Sequence, residues 1–391
     1  MRVGFDVSVI RHGMTNGTAV YAYNLAAALL RLEDAPELRL FFGARASAAA
    51  EAALARLEAA GATVVRGGAP WRWSPDGAWW LPLRPRMRRF LDALDVFHAG
   101  EFFLPAAVGC ACVATVHDLT TLLFPEQHAL MNRRLHARRL RWIERRADRV
   151  IAVSDHTRDD LLRLTGLDPG RVERVYEARA SRPAGDPNDD RAILRTLGLE
   201  GRRYVLAVGT IEPRKNHARL IGAFERIERA DDMLLVLVGG WGWRCAPVRR
   251  AIQRSSARDR IRVLGSVPGE TLGALYRGAA VFAFPSLYEG FGLPVLEAMA
   301  AGAPVLTSNT SSLAEIAGDA ALLIDPLSVE SIAAGLERLM GPDSPALELA
   351  ARGVARERRF TWRQTAERTL DVYRLAAGAA DPKKFAVGGG R

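Results

Sequence analysis

The chain has 391 residues, 49% hydrophobic and 25% charged, a balance that predicts two or three globular domains and excludes a disordered chain. We expect neither a membrane-spanning helix nor a secretory signal, since no apolar run is long enough. The cysteines Cys110, Cys112 and Cys245 argue against a disulfide framework and offer no second pair of metal ligands. The net charge of +10 favours an anionic partner such as nucleic acid, a phosphate-bearing substrate or an anionic membrane, unless it only reflects a genome that favours arginine.

The first half of the chain alternates short apolar runs with helical patterns. Such βα alternation predicts a parallel sheet covered by helices on both faces. The predicted strands lie at 3–10, 38–42, 62–66, 95–100, 112–119 and 149–154, and the predicted helices at 18–32, 46–60 and about 129–147.

The alternation stops at ASRPAGDPNDD (180–190) and then restarts with strands at 202–209, 233–240, 260–267, 280–286, 303–308 and 320–326. The fold class is therefore α/β, with two Rossmann-like doubly wound domains that face each other across a cleft at the carboxyl ends of their strands. The predicted parts are an N-terminal acceptor domain (1–180), a linker (181–195), a C-terminal donor domain (196–360), a helix crossing back to the first domain (361–379) and a disordered tail (380–391).

Two glutamates bracket a glycine turn in SLYEGFGLPVLEAM (286–299). Gly290 and Gly292 permit close backbone approach, and the helix that follows would offer free N–H groups to an anion. Glu297, expected in the first helical turn, could accept hydrogen bonds from a ribose, and Glu289 would lie before the turn. The alternative is that Glu297 complements the helix dipole and Glu289 is a surface acid.

A second polar stretch, AVGTIEPRKNHARLI (207–221), follows a strand that ends at Gly209. Arg214 and Lys215 stand at the carboxyl end of that strand, where two cations would match a diphosphate. The alternative is a pair of solvated surface cations.

Two further stretches fall in the first half. RHGMTNGTAV (11–20) is a glycine-bearing loop that could bring backbone amides to a phosphate, although any tight turn needs such residues. TVHDLTTLLFPEQH (115–128) places His117 and Asp118 at the end of a buried strand. The alternative is a satisfied histidine near the core.

Basic and aromatic residues cluster in two places. WRWSPDGAWW (71–80) precedes four arginines between Arg84 and Arg89, and residues 131–149 form an arginine-dense helix. Aromatic residues beside cations suit an interface with anionic lipid. The alternative is a solvated helix face with core tryptophans.

Several stretches together resemble the retaining glycosyltransferases of family 4, which have the GT-B fold. The resemblance covers nearly the whole chain and is strongest from 203 to 375. HDLTTLLFPEQH and ADRVIAVSDHTRDDL are similar to mannosyl and related transferases of surface-polysaccharide assembly. The stretches that carry the family resemblance are VGTIEPRKN, LGSV, FPSLYEGFGLPVLEAMAAGAPVLTSNTSSLAEIAGDAALLIDP and FTWRQTAERTLDVYR.

The resemblance implies roles for these residues. Glu297 would hold the nucleotide ribose, Glu289 would lie near the donor sugar, and Arg214 and Lys215 would neutralise the diphosphate. His117 would contact the sugar. The other implied contacts are Asp118 on the acceptor side and, on the donor, Phe291, Gly290, Gly292, Leu293, Gly209, Thr210, Ser266, Val267, Asn16 and Gly17.

The chain departs from the family pattern at two points. Thr210 stands where many relatives have an arginine, which leaves more of the phosphate charge to Arg214 and Lys215. Tyr176-Glu177-Ala178 replaces an asparagine–glycine step, so the hinge is expected to differ.

The implied reaction transfers a hexose with retention from a nucleotide-diphosphate sugar, without a metal or other cofactor. A front-face displacement is favoured over double displacement, because no acid is clearly placed as a nucleophile. The resemblance favours GDP-mannose and a lipid-diphosphate-linked saccharide, with the protein cytoplasmic and peripheral on an anionic membrane surface. The alternatives are UDP-glucose, a UDP-N-acetyl sugar or GDP-rhamnose on a soluble acceptor, and a polyanion-binding non-enzyme. Nucleic acid is not expected as a partner.

Overall fold

A computed structural model describes residues 1–14, 16–66, 93–100, 104, 109–180, 185–227 and 233–379. The described chain divides into two compact units, one of Met1–Ala178 together with the segment from Thr361, the other of Arg179–Phe360. The segments predicted at 71–91 and 380–391 lie outside the described residues.

The strands are β1 (Arg2–Asp6), β2 (Glu37–Phe42), β3 (Thr63–Arg66), β4 (Val96–Ala99), β5 (Ala111–Val116), β6 (Arg149–Ala152), β7 (Val172–Arg174), β8 (Arg203–Val208), β9 (Met233–Val238), β10 (Ile261–Gly265), β11 (Val281–Phe284), β12 (Val305–Ser308) and β13 (Leu322–Ile324).

The helices are α1 (Gly17–Leu29), α2 (Ala48–Ala59), α3 (Thr120–Leu123), α4 (Leu130–Arg146), α5 (Asp155–Leu164), α6 (Pro187–Thr196), α7 (His217–Glu225), α8 (Ala246–Arg254), α9 (Gly269–Gly278), α10 (Leu293–Ala300), α11 (Ser311–Ala317), α12 (Val329–Met340), α13 (Ala346–Glu357) and α14 (Trp362–Ala379).

The first unit contains a seven-stranded parallel sheet in the order β3-β2-β1-β4-β5-β6-β7. All six residues of β5 are buried. Val113 packs into the core that includes α1 and α2, whereas its neighbours Cys112 and Ala114 pack into the core that includes α4. Successive side chains of a strand point to opposite faces, so a strand buried on both faces is apolar throughout.

The helix α14 belongs to the first unit, although it comes last in the chain. Ala366, Leu370 and Tyr373 lie in the same core as Val3 and Phe5 of β1. A hydrogen bond of 2.7 Å joins the hydroxyl of Tyr373 to Nδ1 of His98 in β4. The first unit is therefore built from two separate stretches of sequence.

The second unit contains a six-stranded parallel sheet in the order β10-β9-β8-β11-β12-β13. From β8 the chain builds outward through β9 and β10, and it then returns to place β11 on the other side of β8. The strand order therefore reverses between β8 and β11. Ligands of doubly wound sheets bind at the carboxyl ends of the strands beside such a reversal.

The predicted linker at 181–195 is wrong in extent, because α6 begins at Pro187. The side chain of Asp186 caps this helix by accepting a hydrogen bond from the N–H of Asn188 at 2.7 Å. Asp190 accepts hydrogen bonds of 2.5 and 2.6 Å from Arg277 of α9, which fixes α6 to the second unit. Across the described ranges, no helix combines the length and apolar character needed to cross a bilayer.

Candidate donor-binding site

The glycine turn after β11 is held by serines from the next βα connection. The hydroxyl of Ser312 donates to the carbonyls of Glu289 and Phe291, each at 2.8 Å. The N–H of Glu289 donates to the hydroxyl of Ser311 at 3.1 Å. Gly292 has a φ of +113°, a conformation that favours glycine, and α10 begins at the next residue. The turn thus has a defined main-chain path that leads into a helix.

The turn after β8 carries the two cations. Residues Pro213–Lys215 form one turn of 3₁₀ helix, and Asn216 follows with a left-handed φ of 61°. The side-chain amide of Asn216 donates to the carbonyls of Pro285 and Pro326, at 3.0 and 2.7 Å. The N–H of Leu287 donates to the carbonyl of Arg214 at 2.8 Å. These bonds join the β8 and β11 turns into one structure.

Glu289, Lys215, Arg214 and Glu212 form a compact ion-pair cluster. Glu289 lies 2.7 Å from Nζ of Lys215 and 2.6 Å from Arg214, and Arg214 lies 2.8 Å from Glu212. The side chains of Lys215 and Arg214 are 11% and 17% exposed, and Glu289 is 8% exposed. The alternatives of a surface acid and of solvated surface cations are therefore wrong.

The cluster keeps Glu289 ionised. Burial opposes its negative charge, but Arg214, Lys215 and a hydrogen bond from Ser286 outweigh burial and lower its pKa to about 2. Burial and the neighbouring Arg214 lower the pKa of Lys215, while Glu289 counteracts them. Burial and the charge of Lys215 lower the pKa of His217 to about 4, so this histidine is neutral at physiological pH.

Glu297 lies in α10, close to the same sheet edge. It is the fifth residue of the helix and not, as predicted, in the first turn, because the helix already begins at Leu293. Its Oε2 accepts a hydrogen bond of 3.0 Å from the hydroxyl of Tyr276. The ring of Tyr276 packs edge-on against Phe282 with centroids 5.3 Å apart, which anchors the tyrosine. The carboxylate is thus oriented by a buried neighbour.

The other residues predicted to contact the donor lie in two places along the carboxyl edge of the second sheet. Gly290, Phe291 and Gly292 are buried in the β11 turn and Leu293 is half-buried. Phe291 packs against Phe360 with ring centroids 5.9 Å apart, so only its main chain remains for a ligand. Gly209 and Thr210 follow β8, and Ser266 and Val267 follow β10.

Backbone hydrogen bonds join the carboxyl ends of β8, β9 and β10. The N–H of Gly209 donates to Val238 and the N–H of Gly239 donates to Gly265, each at 2.8 Å. Thr210 and Ser266 are exposed there and Val267 is half-buried.

The predicted residues of the first unit lie at the carboxyl edge of its own sheet. Asn16 caps α1 by accepting from the N–H of Ala19 at 2.8 Å, with Gly17 the first helical residue. Asp118 accepts from the N–H and hydroxyl of Thr120, at 3.0 and 2.7 Å. Asn16 is thus a helix cap, and Asp118 stabilises the local turn that leads into α3.

His117 has hydrogen-bond partners at both ring nitrogens. Nδ1 lies 2.7 Å from Oε1 of Glu177 and Nε2 lies 2.9 Å from the carbonyl oxygen of Gly100. The ring of Tyr21 in α1 meets it edge-on at 4.8 Å. Contact with a sugar through a ring nitrogen would require one of these bonds to break.

Sequence reasoning missed several residues that organise the site. Glu212 was two positions from Arg214 and could have been suspected as its partner. Ser311 and Ser312 carried only the general helix-start preference of serine. Tyr276 carried no signal, because its contact with Glu297 depends on how α9 and α10 pack.

Comparison with known proteins agrees with this architecture. A family model described as Glycosyltransferase Family 4 matches residues 15–178, and one described as Glycosyl transferases group 1 matches residues 189–354. The chain is 35% identical to the O-antigen chain mannosyltransferase B of Escherichia coli over 283 residues, which is 72% of this chain and 74% of that protein.

Two further similarities are more distant. The chain is 28% identical over 281 residues to a serotype-specific mannosyltransferase WbdA of Escherichia coli, which is 69% of this chain but 34% of that longer protein. The crystal structure of Anabaena HepE in complex with UDP and glucose has a TM-score of 0.72 at 18% identity, over 95% of this chain and 98% of that one. Together with the two parallel sheets, these matches identify the chain as a glycosyltransferase with the GT-B fold, and it belongs to glycosyltransferase family 4.

Proposed function

We propose that the protein is a retaining, metal-independent hexosyltransferase that moves mannose from GDP-mannose to a lipid-diphosphate-linked glycan in surface-polysaccharide synthesis. The observation that carries this proposal is the buried cluster of Glu289, Lys215 and Arg214 at the strand reversal of the second sheet. The names of the relatives from Escherichia coli, both mannosyltransferases, support the sugar and the class of product.

In this proposal, Lys215 and Arg214 stabilise the nucleoside diphosphate as it departs. They are held by Glu289 and Glu212, so little reorganisation is needed when negative charge develops on the leaving group. Positive charge from the side chains takes the place that a metal ion occupies in other phosphate chemistry. Glu297, oriented by Tyr276, accepts hydrogen bonds from the hydroxyls of the ribose.

The other donor contacts are proposed from the resemblance to the family. Gly209 and Thr210, with Gly290, Gly292 and Leu293, offer main chain to the phosphates and the sugar, and Ser266 and Val267 border the base.

We propose that the transfer retains configuration because the acceptor attacks the sugar from the face that the diphosphate leaves. Glu289 is a poor nucleophile, because Oε1 accepts hydrogen bonds from Lys215 at 2.7 Å and Ser286 at 2.6 Å, while Oε2 pairs with Arg214. The departing phosphate would then take the proton of the acceptor hydroxyl. The protein contributes positioning and stabilisation of charge.

A basic face of α4 supports the proposal that the acceptor is linked to a lipid. Arg134, Arg138, Arg141 and Arg145 are exposed and share one helical face by their spacing of three and four residues. Leu130 and Met131, at the start of the helix, are 55% and 74% exposed. Cations beside exposed apolar side chains suit a surface of anionic lipid. We therefore propose that the enzyme acts at the cytoplasmic face of a membrane, where a lipid-linked acceptor would be found.

A thermal-shift panel of nucleotide sugars tests the donor. We expect GDP-mannose to raise the melting temperature of the wild type, and Glu297→Ala and Lys215→Ala to reduce that shift. Arg226→Ala is the matched control, since it removes an exposed cation of the same unit that pairs with Glu330. A shift given by UDP-glucose, a UDP-N-acetyl sugar or GDP-rhamnose instead would replace the donor. Equal shifts in all variants would contradict the residue assignments.

A further inference from the structure

The carboxyl edge of the first sheet holds a histidine whose two ring nitrogens both face acceptors. His117 follows β5, and its Nε2 lies 2.9 Å from the carbonyl oxygen of Gly100, which follows β4. Its Nδ1 lies 2.7 Å from Oε1 of Glu177, which follows β7. A carbonyl oxygen and an ionised carboxylate only accept hydrogen bonds, so both bonds form only if both nitrogens carry a proton.

One proton must lie between Nδ1 and the carboxylate of Glu177. It can be held by the imidazole, which gives an imidazolium–carboxylate pair, or by Glu177, which gives a neutral pair. Histidine has the higher intrinsic affinity for a proton, by about two pH units, and this favours the charged pair. The side chains of His117 and Glu177 are 13% and 5% exposed, so solvent screens the pair only weakly.

Two titratable neighbours, Tyr21 and His98, are neutral, so the charges lie on His117 and Glu177. Tyr21 of α1, edge-on to His117, stays neutral because burial raises its pKa. His98 of β4 bonds to Tyr373 and Thr115, and burial together with the positive charge of His117 lowers its pKa to about 3. Asp118, next in the chain, accepts hydrogen bonds from the N–H and hydroxyl of Thr120. Within the described part of the chain, Glu177 is thus an anion in direct contact with the imidazole.

We propose that Glu177 keeps His117 protonated, so that His117 acts as a fixed positive charge at this sheet edge and not as a general base. Glu177 is in this sense a positioning residue. It lies within Tyr176-Glu177-Ala178, where the chain departs from the pattern of its family, so this device is a feature of this chain's own residues. The catalytic consequence rests on the proposed function: an imidazole that is already protonated would not take the proton of the acceptor hydroxyl.

The protonation of His117 can be measured without any substrate. The full chain is labelled with ¹⁵N-histidine, and the resonances of His117 are assigned by their loss in His117→Gln. Correlation spectra recorded from pH 5.5 to 9 report whether each ring nitrogen carries a proton. We expect both nitrogens of His117 to remain protonated above pH 6.5, the ordinary pKa of a histidine.

Glu177→Gln tests the cause. The amide keeps the shape and can still accept from Nδ1, but the charge is gone, so the midpoint of the His117 titration should fall by about one pH unit or more. Glu173→Gln is the matched control, since it removes a half-buried acid from β7. That variant should leave the midpoint unchanged.

The outcomes separate this proposal from the proposed function. A neutral His117 at pH 7 in the wild type, or the same midpoint in wild type and Glu177→Gln, overturns it whether or not the protein transfers sugar. Should Glu177→Gln fail to fold, the wild-type titration alone still decides the protonation state. In a working transferase assay, Glu177→Gln should move the alkaline limb of the pH profile of kcat/KM to lower pH, an effect that a purely structural role would not produce.

Discussion

Lys215 and Glu289 are 74 residues apart in the chain, and the ammonium of one lies 2.7 Å from the carboxylate of the other. They meet because they follow β8 and β11, which are neighbours in the second sheet although β9 and β10 lie between them in sequence. Removal of either partner would leave the charge of the other buried with less opposite charge beside it, which is destabilising.

Lys215→Ala should lower kcat about 10²- to 10³-fold, if the ammonium acts as a preorganised donor to the leaving phosphate. Steady-state kinetics with the donor identified in the thermal-shift panel measures this. Arg226→Ala, which removes an exposed cation from the same unit, should leave kcat within about twofold. Similar losses in both variants would show that the effect is one of net charge.

Glu289 should make the stability of the protein depend on pH. Its pKa in the folded state is about 2, below the ordinary value of 4.5, so its stabilising effect is full above about pH 4.5 and is lost as the pH falls towards 2. Over that interval the wild type should lose about 3 kcal/mol more free energy of unfolding than Glu289→Gln. Urea unfolding between pH 3 and 6 measures the difference in slope. Glu270→Gln, at an exposed acid, should keep the slope of the wild type.

Tyr276→Phe should raise the KM for the donor about fivefold with little change in kcat, since it removes one hydrogen bond to a residue that binds ground state and transition state alike. The ring, packed on Phe282, is retained. Tyr204→Phe is a matched control, because it deletes the hydroxyl that donates to the carbonyl of Leu275 at 2.8 Å. An equal rise in KM in the control would assign the effect to packing.

Replacement of Arg134, Arg138, Arg141 and Arg145 by glutamine should abolish binding to anionic vesicles. Each basic residue near such a surface contributes about 1 kcal/mol, so four should weaken partitioning more than 100-fold at low salt. Cosedimentation with vesicles that contain phosphatidylglycerol measures this. The control replaces Arg250, Arg254, Arg258 and Arg262, four exposed arginines of the second unit, by glutamine. Equal loss in both variants would indicate a general charge effect and not a docking face.

The sheet edge of the candidate site could be predicted because the apolar runs that precede it are unambiguous. Strands such as β8 and β11 are buried throughout except for the first residue of β8, and the polar residues that follow them must lie at the carboxyl edge. The sequence alone therefore predicts that Lys215 and Glu289 lie at one edge of the sheet.

Their partners could not be predicted in the same way. The contact between Tyr276 and Glu297 depends on the packing of two helices, and periodicity carries no information about it. The position of Glu297 in α10 depended on where the helix begins, which is the least certain feature of a sequence prediction.

The helix α6 is a different case, because its signals were present in the sequence. Asp186 at the cap and Pro187 in the first turn are typical of a helix start, yet the density of proline, glycine and aspartate favoured a linker. The helix is short and has few apolar residues, so the sequence shows almost no helical hydrophobic periodicity that would have argued against a linker.

The position of α14 has a consequence for the order in which the protein can be made. Tyr373 and its neighbours complete the core around β1, yet they are translated after the whole second unit. During synthesis the second unit can finish folding while the first still exposes apolar surface along its core. The emerging chain would need shielding, by a chaperone for example, until α14 leaves the ribosome.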